Sequence, residues 1–227
     1  EDGIRALVRS RGLGDVYKRQ GPTSDVVLSI TSGDTGEATV TSSLTFTPAN
    51  WNSAQTVTVT GADDNLIDGT ITSTITVSVN DANSNDSFDG VADQTVSVTT
   101  TDNDTAGFTI AQSGGSTSVA ETGTTDTFTV VLNAQPASNV VINITSSDTG
   151  EATVNSPLTF TPANWNSAQT VTVTGVDDNI IDGTITSTVT AEIVDVISDD
   201  DFDAVANQTV SVTTTDNDTA GFTIVQS

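Results

Sequence analysis

The 227-residue chain contains no cysteine, no histidine and no methionine. Only 5 residues are Lys or Arg, against 30 Asp and Glu, which leaves a formal net charge of −25. Each absence excludes something. Without Cys there is no disulfide framework, so a secreted version must be stabilised by other means. Thiolate and imidazole chemistry are excluded as well. All five cations (Arg5, Arg9, Arg11, Lys18 and Arg19) fall in the first twenty residues, so residues 21–227 carry 27 acids and no Lys or Arg. Such a body cannot neutralise phosphates, which excludes a nucleic-acid partner. It offers no basic patch to an anionic membrane surface. No apolar run approaches the roughly 20 residues of a spanning helix, so direct membrane insertion is not expected.

Residues 1–20 differ from everything after them. They hold the cations and the only Tyr, Tyr17, and show no period-2 pattern. The stretch Ser10–Gln20, SRGLGDVYKRQ, resembles the read-through translation of a sequencing adaptor. The segment is expected to be foreign to the natural protein and is set aside from fold reasoning.

What remains is a repeat. FTPANWNSAQTVTVTG occurs at Phe46–Gly61 and again at Phe160–Gly175, a spacing of 114 residues that also relates Trp51 to Trp165 and Asp102 to Asp216. A unit of that length is a whole domain rather than a solenoid turn. The register predicts a truncated copy over 21–104, a complete copy over 105–218 and the start of a third over 219–227. In the complete copy, Phe108–Ile110, Thr127–Leu132, Val140–Thr145, Leu158–Thr161, Thr170–Thr174, Thr184–Val194 and Gln208–Thr215 are rich in Val, Ile and Thr and separated by Gly, Asp, Asn and Pro. They predict seven strands. Strict alternation in TVTVT points Val171 and Val173 inward and the threonines toward water. The expected fold is all-β, as tandem immunoglobulin-like antiparallel sandwiches. The single Trp of each copy reads as core, Trp165 being held by the turn at Pro162–Asn166.

Acids gather in the turns: Asp177, Asp178 and Asp182 in DDNIID; Asp199, Asp200, Asp201 and Asp203 in DDDFD; Asp216 and Asp218 in TTDNDTAG. The first copy offers Asp63, Asp64 and Asp68, then Asp86 and Asp89, then Asp102 and Asp104, and Glu121 stands alone in SVAETG. Loops at one end of a sandwich can converge although distant in sequence. Carboxylates crowded together raise one another's pKa unless a cation intervenes, and the body of the chain has none to offer. Calcium, which takes 6–8 oxygens, suits such a donor set, whereas transition metals favour the absent His and Cys. Turn acids can also be merely solvated, and spacing does not separate these readings. Glu151, near Asp148, could be imagined as half of a glycosidase pair, but no further catalytic feature accompanies it. The chain is therefore read as not an enzyme.

SVAETG, TVTVTGVDDNIID and VSVTTTDNDTAG together resemble the Calx-beta domain across 105–218. That resemblance implies a calcium site with Glu121, Asp177, Asp178, Asp182, Asp216 and Asp218 as ligands. Asp182 stands where the family usually has Glu, Asn217 interrupts its closing acidic triplet, and Asp148 is a weak match to a further family acid. The counterpart of Glu121 would be Leu7, in the foreign segment, so Asp63, Asp64, Asp68, Asp102 and Asp104 are expected to bind Ca2+ more weakly. Only Thr105, Ala106 and Gly107 separate Asp104 from the next strand, which leaves little room for a hinge. Tandem Calx-beta-like repeats occur in large bacterial adhesins. By that likeness the expected role is a calcium-stabilised, non-catalytic spacer, extracellular or on the cell surface. Its partners would be calcium ions and neighbouring repeats, with any cell-surface or glycan target elsewhere in a longer parent. The rivals are a glycan- or protein-binding adhesion module and a calcium-sensing regulatory domain like that of the sodium–calcium exchanger.

Overall fold

Thr, Val and Ile dominate the segments between the Asp-, Asn- and Gly-rich turns, and these segments form the strands, since β-branched side chains fit a pleated, half-buried surface. The computed structural model describes residues 21–226; the expected foreign segment, 1–20, lies outside the described residues. The chain divides into two units, Glu1–Asp64 with Gly69–Asp102 and Asn65–Asp68 with Asn103–Ser227. Among the described residues the helical elements are five 3-10 turns of three residues each. No helix there is long and apolar enough to cross a membrane.

The first unit contains β1 (Val26–Ser32), β2 (Ala38–Val40), β3 (Ser43–Phe46), β4 (Val59–Gly61), β5 (Ile71–Val79) and β6 (Gln94–Thr100). They form one sheet in the order β3-β1-β5-β6 and a separate β2-β4 pair. The second unit contains β7 (Phe108–Gln112), β8 (Thr117–Ala120), β9 (Thr125–Leu132), β10 (Val140–Ser146), β11 (Ala152–Val154), β12 (Leu158–Phe160), β13 (Gln169–Gly175), β14 (Ile185–Ile193) and β15 (Gln208–Thr215).

Its two sheets run β7-β9-β13-β11 and β12-β10-β14-β15-β8, all antiparallel except the β15–β8 pair. This is an immunoglobulin-like arrangement, with the four strands of one sheet alternating in sequence with those of the other. Nine strands replace the seven expected. The extra two, β8 and β11, are four and three residues long, too short for alternation to stand out in sequence. Val171 and Val173 face inward and are fully buried, as the alternation predicts. The core joins them to Phe128, Phe160, Val189, Phe202 and Val212, with Trp165 half-buried against it. Asn164 holds the turn before that Trp, its Oδ1 accepting from the Thr161 hydroxyl at 3.1 Å.

The first unit repeats these residues but buries them less. Phe46, Val57, Val59 and Val98 are half-buried, whereas their counterparts Phe160, Val171, Val173 and Val212 are fully enclosed. Subtracting 114 puts the counterparts of β8 and β9 at positions 3–6 and 11–18, outside the described residues. Gly175 marks where β8 closes over β13. A Cβ there would collide with the Ala120 carbonyl of β8, whereas among the described residues the nearest atom to one at Gly61 is a Thr100 methyl at 3.9 Å. Accordingly Phe160→Ala should cost about 3–5 kcal/mol, typical of a buried Phe, and Phe46→Ala clearly less. Hydrogen exchange in β14 and in β5, each reporting its own unit, measures the two losses; equal losses would contradict the burial difference.

Candidate metal centre

Strand register in the second unit brings four acidic segments to one end of the sandwich. Parallel pairing of Thr215 with Ala120 carries Glu121 and Asp216 off the ends of β8 and β15 together. Pairing of Ala152 with Gly175 sets Glu151 beside the loop that leaves β13, and the Glu151 carbonyl accepts from Val176 N at 2.9 Å. Pairing of Ile185 with Thr214 returns that loop, with Asp182, alongside Asp216. Gly183 makes this return possible. Its φ of +77° lies in the left-handed region that favours glycine, and its N–H reaches Asp216 Oδ2 at 2.8 Å.

Two overlapping groups of carboxylates result. One oxygen each from Glu121, Glu151 and Asp182 lie within 4.8 Å of one another, and so do oxygens from Glu121, Asp216 and Asp218. Glu121 is 1% exposed and Glu151 6%. Glu121 Oε2 accepts from Asn217 N at 3.1 Å, but Glu121 Oε1, Glu151 Oε2 and Asp218 Oδ2 are enclosed and have no hydrogen-bond partner among the described residues. Buried anionic oxygens without a donor are costly. The titration behaviour reflects this. The Asn217 N–H pulls the Glu121 pKa down, but burial and the charges of Asp216, Asp178 and Asp182 outweigh it and leave the carboxyl above its ordinary range. Burial, then Asp182 and Glu121, raise Glu151. Burial, then Asp216 and Asp177, raise Asp218. Asp216 alone of the cluster is lowered, chiefly by the N–H groups of Asp218 and Gly183.

The six acids expected in the complete copy are thus treated unequally. Glu121, Asp182, Asp216 and Asp218 belong to the carboxylate groups. Asp177 and Asp178 stand beside them with an oxygen each engaged, Asp177 Oδ1 by Asn217 Nδ2 at 2.8 Å and Asp178 Oδ1 by Ile180 N at 2.6 Å. Asn217, which interrupts the acidic triplet, supplies two donors to the cluster. Glu151 was not expected as a ligand, yet one of its oxygens joins those of Glu121 and Asp182. The exposed Asp148 instead shapes the turn before it, accepting from Gly150 N at 3.0 Å. Alternation gave no signal for Glu151, since adjacent strand residues ordinarily face opposite ways. In a strand that follows at once, its neighbour Ala152 is fully buried.

The other acid clusters do different work. Asp199 lies beyond the opposite end of β14. It is buried and satisfied, its Oδ2 accepting from Ser138 N at 2.6 Å and its Oδ1 from Asp201 N at 3.2 Å. It caps the 3-10 turn Asp200–Phe202, and Asn85 does the same in the first unit. In the first copy, Asp63, Asp64 and Asp102 fall in the first unit and Asp68 and Asp104 in the second. Asp102 Oδ2 accepts from Gly69 N at 3.0 Å, repeating the Asp216–Gly183 bond. Glu37, the counterpart of Glu151, is half-buried, and its carbonyl accepts from Ala62 N at 2.8 Å. The Glu121 counterpart, Leu7, lies outside the described residues.

No family model matches the chain, and no curated protein matches it. Solved structures resemble it. Domains 4 and 5 of the S-layer protein SbsC are 21% identical over 88% of this chain and 74% of theirs, with a TM-score of 0.39. The apo form of the Calx CBD1 domain is 13% identical over 49% of this chain and 98% of its own, with a TM-score of 0.35. SbsC domains 4–9 are 21% identical over 93% of this chain and 24% of theirs, with a TM-score of 0.38. The immunoglobulin-like fold assigned here rests on the strand order and register rather than on these likenesses.

The donor chemistry fits a hard cation. Every side-chain donor is an oxygen, several are charged, and three buried oxygens are left over. Calcium accepts such a set flexibly, whereas magnesium demands stricter octahedral geometry.

Proposed function

We propose that the complete repeat binds calcium through Glu121, Glu151, Asp182, Asp216 and Asp218, with Asp177 and Asp178 adding charge and further oxygens. We further propose that the chain is a non-catalytic structural stretch of an extracellular surface protein, built from repeats at 21–104 and 105–218 with a third beginning at 219–227. The observation that carries the metal reading is the buried, donorless oxygens of Glu121 and Glu151 in a body without Lys, Arg or His. Bound calcium would supply the positive charge those oxygens lack. The protein's own contribution is placement: β8, β15 and the β13–β14 loop are held in register by backbone pairing, and the ion would clamp the loops together.

Such a clamp has a structural use. Extracellular calcium sites hold with Kd values of about 10⁻⁴–10⁻³ M, so the repeat would be rigid outside a cell and loosened wherever calcium is scarce. Near-identical neighbouring copies suit a length-setting role. Two measurements test the reading. Calcium calorimetry on the chain should give one stronger site and one distinctly weaker, because the first copy offers no described counterpart of Glu121; two equal tight sites, or no binding heat at millimolar calcium, would overturn it. Small-angle scattering should show a stiffer, more extended particle in calcium than in chelator.

A further inference from the structure

The repeat places one apolar pair in two different settings. Asn65–Asp68 belongs to the second unit. There the Asn65 carbonyl accepts from Gln135 N at 2.7 Å, and Ile67 N donates to the Gln135 carbonyl at 3.3 Å. Leu66 forms an isolated parallel bridge with Gln135, and Ile67 packs against the core cluster that contains Phe108, Leu132 and Phe160. Leu66 and Ile67 are half-buried as a result. Their counterparts 114 residues on, Ile180 and Ile181, occupy the same D-D-N-x-x-D-G loop and are 62% and 57% exposed. The same contrast recurs where the next copy begins: Phe108 is 3% exposed in β7, whereas its counterpart Phe222 is 89% exposed. Two adjacent isoleucines on an acidic loop, flanked by Asp178 and Asp182, form a patch that solvation alone does not explain.

We propose that Asn179–Ile181 is the docking segment for a further copy of the 114-residue repeat. That copy would receive it along the counterpart of Gln135, with Ile181 against its core, as the second unit receives Asn65–Ile67. Phe222–Val225, whose large apolar side chains Phe222, Ile224 and Val225 are each more than four-fifths exposed, provides that copy's first strand, as Phe108–Gln112 does for the second unit. The occupant is a following repeat rather than the second unit of another molecule, because the Gln135 edge of the second unit already holds Asn65–Ile67. The inference concerns apolar and backbone pairing and does not require the calcium reading.

The test extends the chain after Ser227 by a further copy of residues 114–218 and compares it with the 227-residue chain, both in millimolar calcium. Hydrogen exchange at Asn179–Ile181 should slow by about tenfold or more in the extended chain, the protection expected of newly paired amides. Ile180→Ser with Ile181→Ser, which adds no charge between Asp178 and Asp182, should abolish that protection while leaving the melting of the 227-residue chain unchanged; Ile181→Ala should weaken it, in case the double change disturbs the loop itself. Equal exchange in the two chains would overturn the proposal. So would a double variant that destabilises the 227-residue chain as much as the extended one, since the pair would then serve its own unit. Loss of concentration-dependent self-association confined to the 227-residue chain would assign the loop to another molecule and overturn it equally.

Discussion

Transferring the protein from millimolar calcium into EDTA should lower the melting temperature of the second unit by about 10–20 °C. The size follows from linkage: a site filled to a hundred times its Kd adds about 2.7 kcal/mol, and each kcal/mol shifts a domain of roughly this size by about 4–8 °C. The direction follows from Glu121 and Glu151, whose buried oxygens lose the cation and keep their mutual repulsion. Sodium chloride should not substitute for calcium, because charges this deeply enclosed are screened far less than surface charges. Scanning calorimetry in calcium, in EDTA and in EDTA with added salt measures all three. Identical melting in the first two conditions would remove the metal from the account.

The second expectation concerns the sign of the pH dependence. Glu121, Glu151 and Asp218 in the cluster, and Asp89 and Asp203 away from it, have pKa values raised in the folded state, the last two by burial and then by neighbouring aspartates. A raised folded-state pKa contributes stability that is fully present below the unfolded carboxylate range and is lost as pH rises through the folded value. Asp216 and Asp126 are lowered, Asp216 by backbone N–H groups and Asp126 first by the Ser113 hydroxyl, so their contribution is present above the unfolded range and lost only as pH falls through their low folded values. As pH falls, the raised groups take up protons in the folded protein before the same carboxylates do in the unfolded chain.

The metal-free protein should therefore melt higher near pH 5 than at pH 7. In calcium the trend should invert, because protons compete with the ion for the same oxygens. Glu151→Gln imitates the protonated side chain without a pH change. It should raise the metal-free melting temperature and weaken calcium binding by about tenfold or more, since affinity follows the charge count of the ligands. Thermal melts at the two pH values, with and without calcium, read the inversion directly. A metal-free protein that loses stability steadily from pH 7 to pH 5 would contradict it.

Much of the fold was legible because its signals are local. Alternation in Thr170–Thr174 placed Val171 and Val173 correctly, and the 114-residue spacing is read directly from the recurrence of FTPANWNSAQTVTVTG. β8 and β11 were missed because three or four residues carry too little periodicity. They matter out of proportion to their length: β8 delivers Glu121 and closes the sandwich over Gly175.

Composition and repeat determined that this is an all-β, strongly acidic, tandem protein whose body has no cation of its own to balance its carboxylates, because those properties are sums and spacings along the chain. Which carboxylates meet was decided only by tertiary structure. Register carries Glu151 inward beside Glu121, turns Asp199 into a cap at the far end of β14, and leaves Ile180 and Ile181 in water. The physical reason is that burial and proximity depend on pairing between strands distant in sequence, and that pairing sets where the loops and turns leaving the strands meet.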